Sequence, residues 1–420
     1  MSVVAEGAAD VIVVGAGVVG IATALQLRLA GMDVLLLDRD PPAAGTSSGN
    51  AGALAISEVI PLAEPGVLRQ VPRWLLDPLG PLAVRWRYLP GLLPWLSRFV
   101  LASRPARVET LSRQLGKLLA RVIQDYAPLI ARSGLGDSWR RHGALALYPD
   151  AGTLQANLAC WQRRGELGVR WRRCDTAELG RIEPALRAPW QQQGVLIPDW
   201  SHVDDPYLFS LGLFQQFLRE GGRFVQQPVD AVRQQSGQVT GVVLANGERL
   251  RAGQVVIASG VWSDRFAKQT GQPLPLESER GYHLNLPKAG LVLQHFLLNA
   301  TESFVILPMA NGGLRIAGTV ELAHRDAPPD YRRAHLLLDK ARSMLGDLGT
   351  DGMTAWMGNR PSVPDTVPVI GPSSKVKNLF FACGHGHLGL TLAATTGALL
   401  RDHLTGVADI PTELWPGRFR

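Results

Sequence analysis

The sequence predicts an α/β protein: a parallel, doubly wound sheet joined to a second, α+β unit whose sheet is mainly antiparallel. Three observations point there. Asp10 to Asp40 reads as strand, glycine turn, helix and strand: apolar VIVV, the turn GAGVVG, a helix ending near Gly31, and VLLL closed by Asp38. Arg223 to Ile257 and Leu274 to Val320 carry successive short β patterns, with turn signals at Ser236-Gly237 and Asn246-Gly247. Asn378 to Cys383 is a last apolar strand, and it feeds a helix from about His387 to His403. Parallel βα units at both ends of an antiparallel middle imply a discontinuous first domain, expected at 1–60, 200–270 and 335–420, with the second domain at 61–199 and 271–334.

Between these landmarks, GTSSGNAG (Gly45 to Gly52) is a polar loop of small residues. Pro61 to Pro105 combines many prolines with Trp74, Trp86 and Trp95, which predicts short broken helices. Thr110 to Ile130 reads as one long helix, and Asp205 to Glu220 and Asp330 to Leu345 as two more.

Composition narrows the function classes. The 420 residues are 46% hydrophobic and 19% charged, the balance of a globular chain. The net charge of +7 comes from arginines scattered among acidic residues, with no lysine-rich tract, so no nucleic-acid partner is expected. Three cysteines, Cys160, Cys174 and Cys383, suit a reducing compartment. The start MSVVAEGAAD lacks a basic signal-peptide region, and glycines divide the apolar run Val11 to Leu27. A cytoplasmic protein is expected, with a peripheral contact on the inner face of the cell membrane left open.

The turn Gly15 to Gly20 satisfies GxGxxG between strand and helix. Its first glycine permits the tight turn, the second admits a pyrophosphate, and the third lets helix and strand approach. The helix N-terminus adds its dipole, and Asp38 stands where a carboxylate accepts ribose hydroxyls. NAD and FAD both use this turn. The small residues of TSSGNAG favour the flat ring of FAD, and VVIASG would close over the same nucleotide with Ser259 and Gly260. Near the end, FFACGHGHLGLT alternates Cys383, His385 and His387 with glycines. An extended segment would make these a metal face, whereas a turn opening a helix would make the backbone N–H groups the working part.

Together VIVVGAGVVGIATALQL with Asp38, SSGNAG followed by EPGV, RGYHLNLP, LRIAGTVE, GNRPSVPDTVPVIGPS and NLFFACGHGHLGLTLAATTGALL span essentially the whole chain. In this order they resemble the glutathione-reductase-like FAD oxidoreductases of the D-amino acid oxidase group, most of all the bacterial D-amino acid dehydrogenases. The resemblance implies a Rossmann-like FAD-binding domain and non-covalent FAD held by Gly15, Gly17, Val18, Val19, Gly20, Asp38 and Arg39. It adds Ser47, Ser48, Asn50, Ala51 and Gly52 from the loop, Val229, Ser259, Gly260, Trp262 and Gly358, and Gly384, Gly386, His387, Leu388 and Gly389 from the last turn. That turn would aim a helix N-terminus at the flavin, so no metal is expected at Cys383, His385 and His387.

The resemblance also makes Arg360, in GNRP, the clamp on a substrate carboxylate, with Tyr282 helping and His283 and His387 near the pocket. His387 stands where these dehydrogenases usually carry threonine, which leaves substrate identity open. Arg315 faces either pocket or water. The implied reaction is oxidative deamination of a D-amino acid to a 2-oxo acid and ammonia, with hydride passing to the flavin and electrons to a quinone or other acceptor. The alternatives are an oxidase or dehydrogenase of secondary amino acids of the 4-hydroxy-D-proline or sarcosine type and, more remotely, a metal-dependent hydrolase.

Overall fold

The computed structural model describes residues 8–65, 80 and 82–419. Along the chain, β1 (Ala9–Val14), α1 (Val18–Leu29), β2 (Val34–Asp38), β3 (Arg249–Ile257), β4 (Glu277–Leu286), β5 (Leu314–Leu322), α2 (Arg332–Leu345), β6 (Thr354–Ser362), β7 (Leu379–Cys383) and α3 (Gly389–Leu404) build the site.

Strands without a polar alternation must be covered on both faces, and β1, β2 and β7 are of this kind. β1 pairs in parallel with β2 and β3, and β3 pairs in parallel with β7. Arg223–Gln226 extends the sheet beyond β2, and Val229–Gln235 with Gln238–Leu244 forms an antiparallel arm on β3. The helices α1 and α3 cross closely over one face. A Cβ on Gly397 would lie 2.9 Å from the Ala22 carbonyl oxygen and 3.0 Å from the Thr23 Cα, so only glycine allows this approach.

The second sheet runs β6, β4, β5, Phe304–Pro308, Phe296–Asn299, Ala144–Tyr148, Gln193–Ile197, Arg172–Cys174. It is antiparallel except where Phe296–Asn299 meets Ala144–Tyr148 and where Leu82–Val84 joins β5. Behind it lies α2, whose Ala334 packs on Tyr282 and Leu284, and whose Leu337, Ala341 and Met344 pack with Leu286, Leu314 and Ile316. A small sheet of Ala53–Leu54, Ser201–Val203 and Trp139–Arg140 ties the polar loop to the rest.

Two expectations need correction. The stretch from 335 to 362 belongs with the second sheet: α2 covers its back and β6 pairs with β4 along nine residues. The single helix expected over Thr110 to Ile130 is two, Pro105–Leu119 and Val122–Ser133. The break redirects the chain so that the Tyr126 hydroxyl donates to the Leu390 carbonyl of α3. Of the tryptophan-rich stretch, Arg69, Arg73 and Trp74 lie outside the described residues. Leu89–Ala102 is a helix that buries Leu92 and Trp95 and leaves Leu93 and Leu101 exposed.

Gly397→Ala should therefore lower stability by about 1–3 kcal/mol, the usual penalty of overpacking. Chemical denaturation measures it, and an unchanged midpoint would contradict the close helix crossing.

Candidate active site

The first turn is built by missing side chains. Gly15 has φ +112°, and a Cβ there would sit 2.4 Å from the Ala258 carbonyl oxygen at the end of β3. A Cβ on Gly20 would lie 1.8 Å from the Gly15 oxygen, so this glycine serves packing and does not line the cavity. Gly17 faces open space, with only the Ser47 hydroxyl near, and that hydroxyl accepts the Val18 N–H at 2.9 Å. Asp38 closes β2 with Oδ2 accepting the Ala16 N–H at 2.6 Å and Oδ1 accepting the Asp40 N–H at 3.0 Å. Around this turn is a cavity of about 310 Å³ lined by Asp38, Arg39, Val229, Ser259, Gly260 and Trp262. The Arg39 guanidinium covers the Trp262 ring at 4.2 Å.

A second cavity, of about 370 Å³, continues the first: Gly17, Thr46, Ser47, Ala258 and Gly260 line both. One wall is the polar loop, through Gly49, Asn50 and Ala51, and another is the turn opening α3, through Gly386, His387 and Gly389. The opposite wall is the face of β4 and β6. Period-two alternation turns Glu279, Gly281 and His283 of β4 toward the cavity, opposite Arg360, Gly358 and Trp356 of β6. The Arg360 guanidinium lies flat over Gly281, where a Cβ would come 2.3 Å from Nη2, and its Nη1 donates to Glu279 at 3.1 Å. Phe296, Leu298, Val305 and Leu62 give the remaining wall an apolar surface, with Glu58 also on the lining.

Tyr282 borders the cavity, but the same alternation turns its phenol away, against the expected hold on a carboxylate. Its phenol points to the α2 side, where it donates to Glu321 Oε2 at 2.6 Å and accepts the Asp330 N–H at 3.1 Å. Burial, then the Glu321 bond, pushes it up to about 12. His283 reaches the cavity in a fixed form. Its ring stacks on Trp356 at 4.9 Å, its Nδ1 donates to the Gly49 carbonyl at 3.0 Å, and burial, aided by Arg315, pulls it down to about 3. An imidazole so held is no proton acceptor near neutral pH and acts on the loop instead. Arg315 faces neither pocket nor water. It is buried under the same loop, donating to Asn285 at 2.8 Å and to the Ser48 and Asn50 carbonyls at 3.3 and 2.6 Å.

Ser48, Gly52, Gly384 and Leu388 shape the walls without lining either cavity. The Ser48 hydroxyl turns to the Gly45 carbonyl, and a Cβ on Gly52 would meet Leu307 at 2.8 Å. At Gly384, φ is +73° and a Cβ would meet Val363 at 2.9 Å, while Leu388 is buried. Cys383, His385 and His387 do not share a face, because the segment turns. His385 is buried with Nε2 at 2.8 Å from the Thr396 hydroxyl, and burial pushes the Cys383 thiol up to about 12. Among the described residues no three His, Cys, Asp or Glu side chains converge as metal ligands. Thr46, Glu279 and Trp356 were missed in the sequence. Alternation on β4 was legible there, but not which of its faces meets the cavity.

Burial also sets a pH dependence. His202 is pulled down to about 4, and His283 and His385 to about 3, from an ordinary value of 6.5. Below pH 6.5 the unfolded chain takes up protons that the folded chain refuses, so stability present above that pH is lost as pH falls toward 4 and 3. Each such histidine contributes up to about 1.4 kcal/mol per pH unit in that window. Unfolding midpoints measured from pH 7 to 5 should fall, and should fall less steeply in His385→Asn. A flat profile in the unmodified protein would contradict the neutral burial.

Residues 10–403 match the DAO family, described as FAD dependent oxidoreductase. The chain is 35% identical over 405 residues to a D-amino-acid oxidase of Bradyrhizobium diazoefficiens, with 94% of this chain and 95% of that protein covered. It is 31% identical to a D-amino acid dehydrogenase of Paramagnetospirillum magneticum over the same shares. Its fold matches the crystal structure of glycine oxidase from Geobacillus kaustophilus with a TM-score of 0.73 at 21% identity, covering 97% of this chain and 98% of that one. No helix among the described residues is long and apolar enough to cross a membrane. FAD is a long molecule with a nucleotide at one end and a flat ring system at the other, and the two joined cavities fit it, with the Cβ-free Gly17 and the Ser47 hydroxyl at the waist. The chain belongs to the DAO family of FAD-dependent oxidoreductases.

Proposed function

We propose that the protein oxidatively deaminates D-amino acids to 2-oxo acids and ammonia, with a quinone or another acceptor taking the electrons. The carrying observation is Arg360, a half-buried guanidinium on the wall of the larger cavity with a single ion-pair partner among the described residues. Only its Nη1 is bound among the described residues, so Nε and Nη2 form a free fork for a carboxylate. FAD supplies the hydride acceptor, its flavin N5. The chain has to fix the α-carbon: Arg360 would hold the carboxylate, the apolar surface of Phe296, Leu298 and Val305 would receive the side chain, and the polar loop would be among the residues that hold the flavin. A neutral amine carries its own lone pair, so no strong base is needed at the α-carbon, which agrees with the fixed, neutral His283. His387, half-buried on the rim of the α3 turn, would border the substrate. The two relatives above, named as D-amino-acid oxidase and D-amino acid dehydrogenase, support the choice of D-amino acids. FAD would be bound without a covalent link.

Anaerobic mixing with D-, L- and N-alkyl amino acids is the test, read as bleaching of flavin absorbance. D-amino acids should bleach it, and bleaching by N-methylglycine alone would replace this reading with the secondary-amine one. Arg360→Ala should lower kcat/KM by roughly 30- to several-thousand-fold, since losing one partner of a buried charge pair costs about 2–5 kcal/mol. An amine lacking the carboxylate should be hardly affected. Equal penalties on both would remove Arg360 from the role.

For the acceptor, we propose quinone met at a membrane surface. The helix Leu89–Ala102 exposes Leu93 and Leu101 beside the exposed Arg98, Arg104 and Arg107, a basic amphipathic surface suited to anionic lipid. Flotation with anionic liposomes at low salt should carry the protein upward. Protein that stays at the bottom, together with stoichiometric hydrogen peroxide in air, would make oxygen the acceptor.

A further inference from the structure

The charges on the larger cavity's wall carry a consequence for substrate choice, which rests on the amino-acid reading above. Arg360 is the only lysine or arginine lining that cavity among the described residues, and Glu58 and Glu279 line it too. Glu58 has the half-buried Arg164 near it, with Arg164 Nε bound to the Ser57 carbonyl at 3.2 Å. Glu279 sits directly across the strand pair from Arg360, buried, with its Oε1 on Nη1 at 3.1 Å. Gly281, next on the same face, leaves room for the guanidinium to lie against the sheet.

This arrangement does two things. The bond from Nη1 sets the rotation of the guanidinium, so that the Nε and Nη2 fork remains for the incoming carboxylate. It also uses up the charge. With Glu279 in place the pair is neutral before substrate arrives, and a single bound carboxylate leaves that part of the wall with an excess of negative charge. A second carboxylate, on a substrate side chain, would meet the Glu279 carboxylate with Arg360 already engaged, and among the described residues no other lysine or arginine on the lining of a partly desolvated cavity.

We propose that Glu279 is a specificity-determining residue: it orients Arg360 for one carboxylate and disfavours substrates that carry a second. Uncharged side chains enter the apolar wall without this penalty, and cationic ones are tolerated.

The test uses the holoenzyme and isosteric pairs that differ only in charge, D-glutamine against D-glutamate and D-asparagine against D-aspartate, with flavin reduction followed anaerobically. The amides should win by at least about tenfold in kcat/KM, because like charges held close with little solvent are strongly discriminated. Glu279→Gln keeps an acceptor for Nη1 but removes the charge, and should narrow the ratio by about tenfold. A merely structural role would lower all four substrates alike and leave the ratio where it was. Equal efficiency on glutamine and glutamate in the unmodified enzyme overturns the proposal without any variant, as does an unchanged ratio in a folded, yellow Glu279→Gln protein. Binding of butyrate and succinate, read from flavin absorbance, gives the same comparison without turnover: butyrate should bind more tightly, and Glu279→Gln should favour succinate. If no D-amino acid bleaches the flavin while the anions still discriminate in this way, the amino-acid reading fails and the role of Glu279 stands.

Discussion

The structure depends on how closely backbone approaches backbone at the carboxyl edge of the parallel sheet. β1, β3 and β7 end side by side, and each continues into a turn that lines a cavity: Gly15 to Gly17, Ala258 to Gly260, and Cys383 to Gly389. A crevice at the carboxyl ends of parallel strands is where open α/β sheets bind ligands. Here the crevice exists because side chains are missing. Gly15 lies against Ala258, Gly20 against Gly15, and Gly397 brings α3 onto α1. A methyl group at any of these places would push apart elements whose separation sets the shape of the cofactor trough.

The second sheet has to be held over that edge at a fixed height, and it is held through the polar loop. Three successive carbonyls, those of Ser48, Gly49 and Asn50, are taken by Arg315 and His283 from β5 and β4. Burial pulls Arg315 down to about 10, so it stays cationic at neutral pH. It brings a charge and several donors under the loop, each stronger for being out of water. The same strand, β4, presents Glu279 two residues before Gly281, so the elements that fix the loop also fix the Arg360 guanidinium. Loop height and the position of the Arg360 guanidinium are therefore one mechanical unit.

Much of this was legible in the sequence, for a physical reason. A glycine turn between strand and helix, an acid at the end of the next strand and a glycine-rich entry to the last helix are local features, and local spacing determines their geometry. Gly15, Gly17, Asp38, Gly386 and Gly389 were read in this way. Tyr282 was not, because a residue's face on a strand depends on what packs on each side, and α2 covers the face that Tyr282 occupies. Arg315 was ambiguous for the same reason. Glu279 was invisible as a site residue because its meaning comes only from pairing with Arg360, 81 positions away. The boundary drawn at 335 failed because β6 joins the second sheet by a long-range pairing that no local pattern announces.

The division of labour across the larger cavity follows from these placements. One side, built from turns of the parallel sheet, offers backbone and small residues, which suit a large flat cofactor that brings its own chemistry. The other side, built from β4 and β6, offers the charge, and does so sparingly: one guanidinium, one carboxylate against it, and an imidazole held neutral. A strong base there would face the guanidinium and a bound carboxylate while lying close to hydride transfer, where it has no task if the amine arrives neutral. The wall is thus suited to holding a molecule still, and on the proposal made above discrimination among molecules would fall to the balance between Arg360 and Glu279 and to the apolar surface beside them.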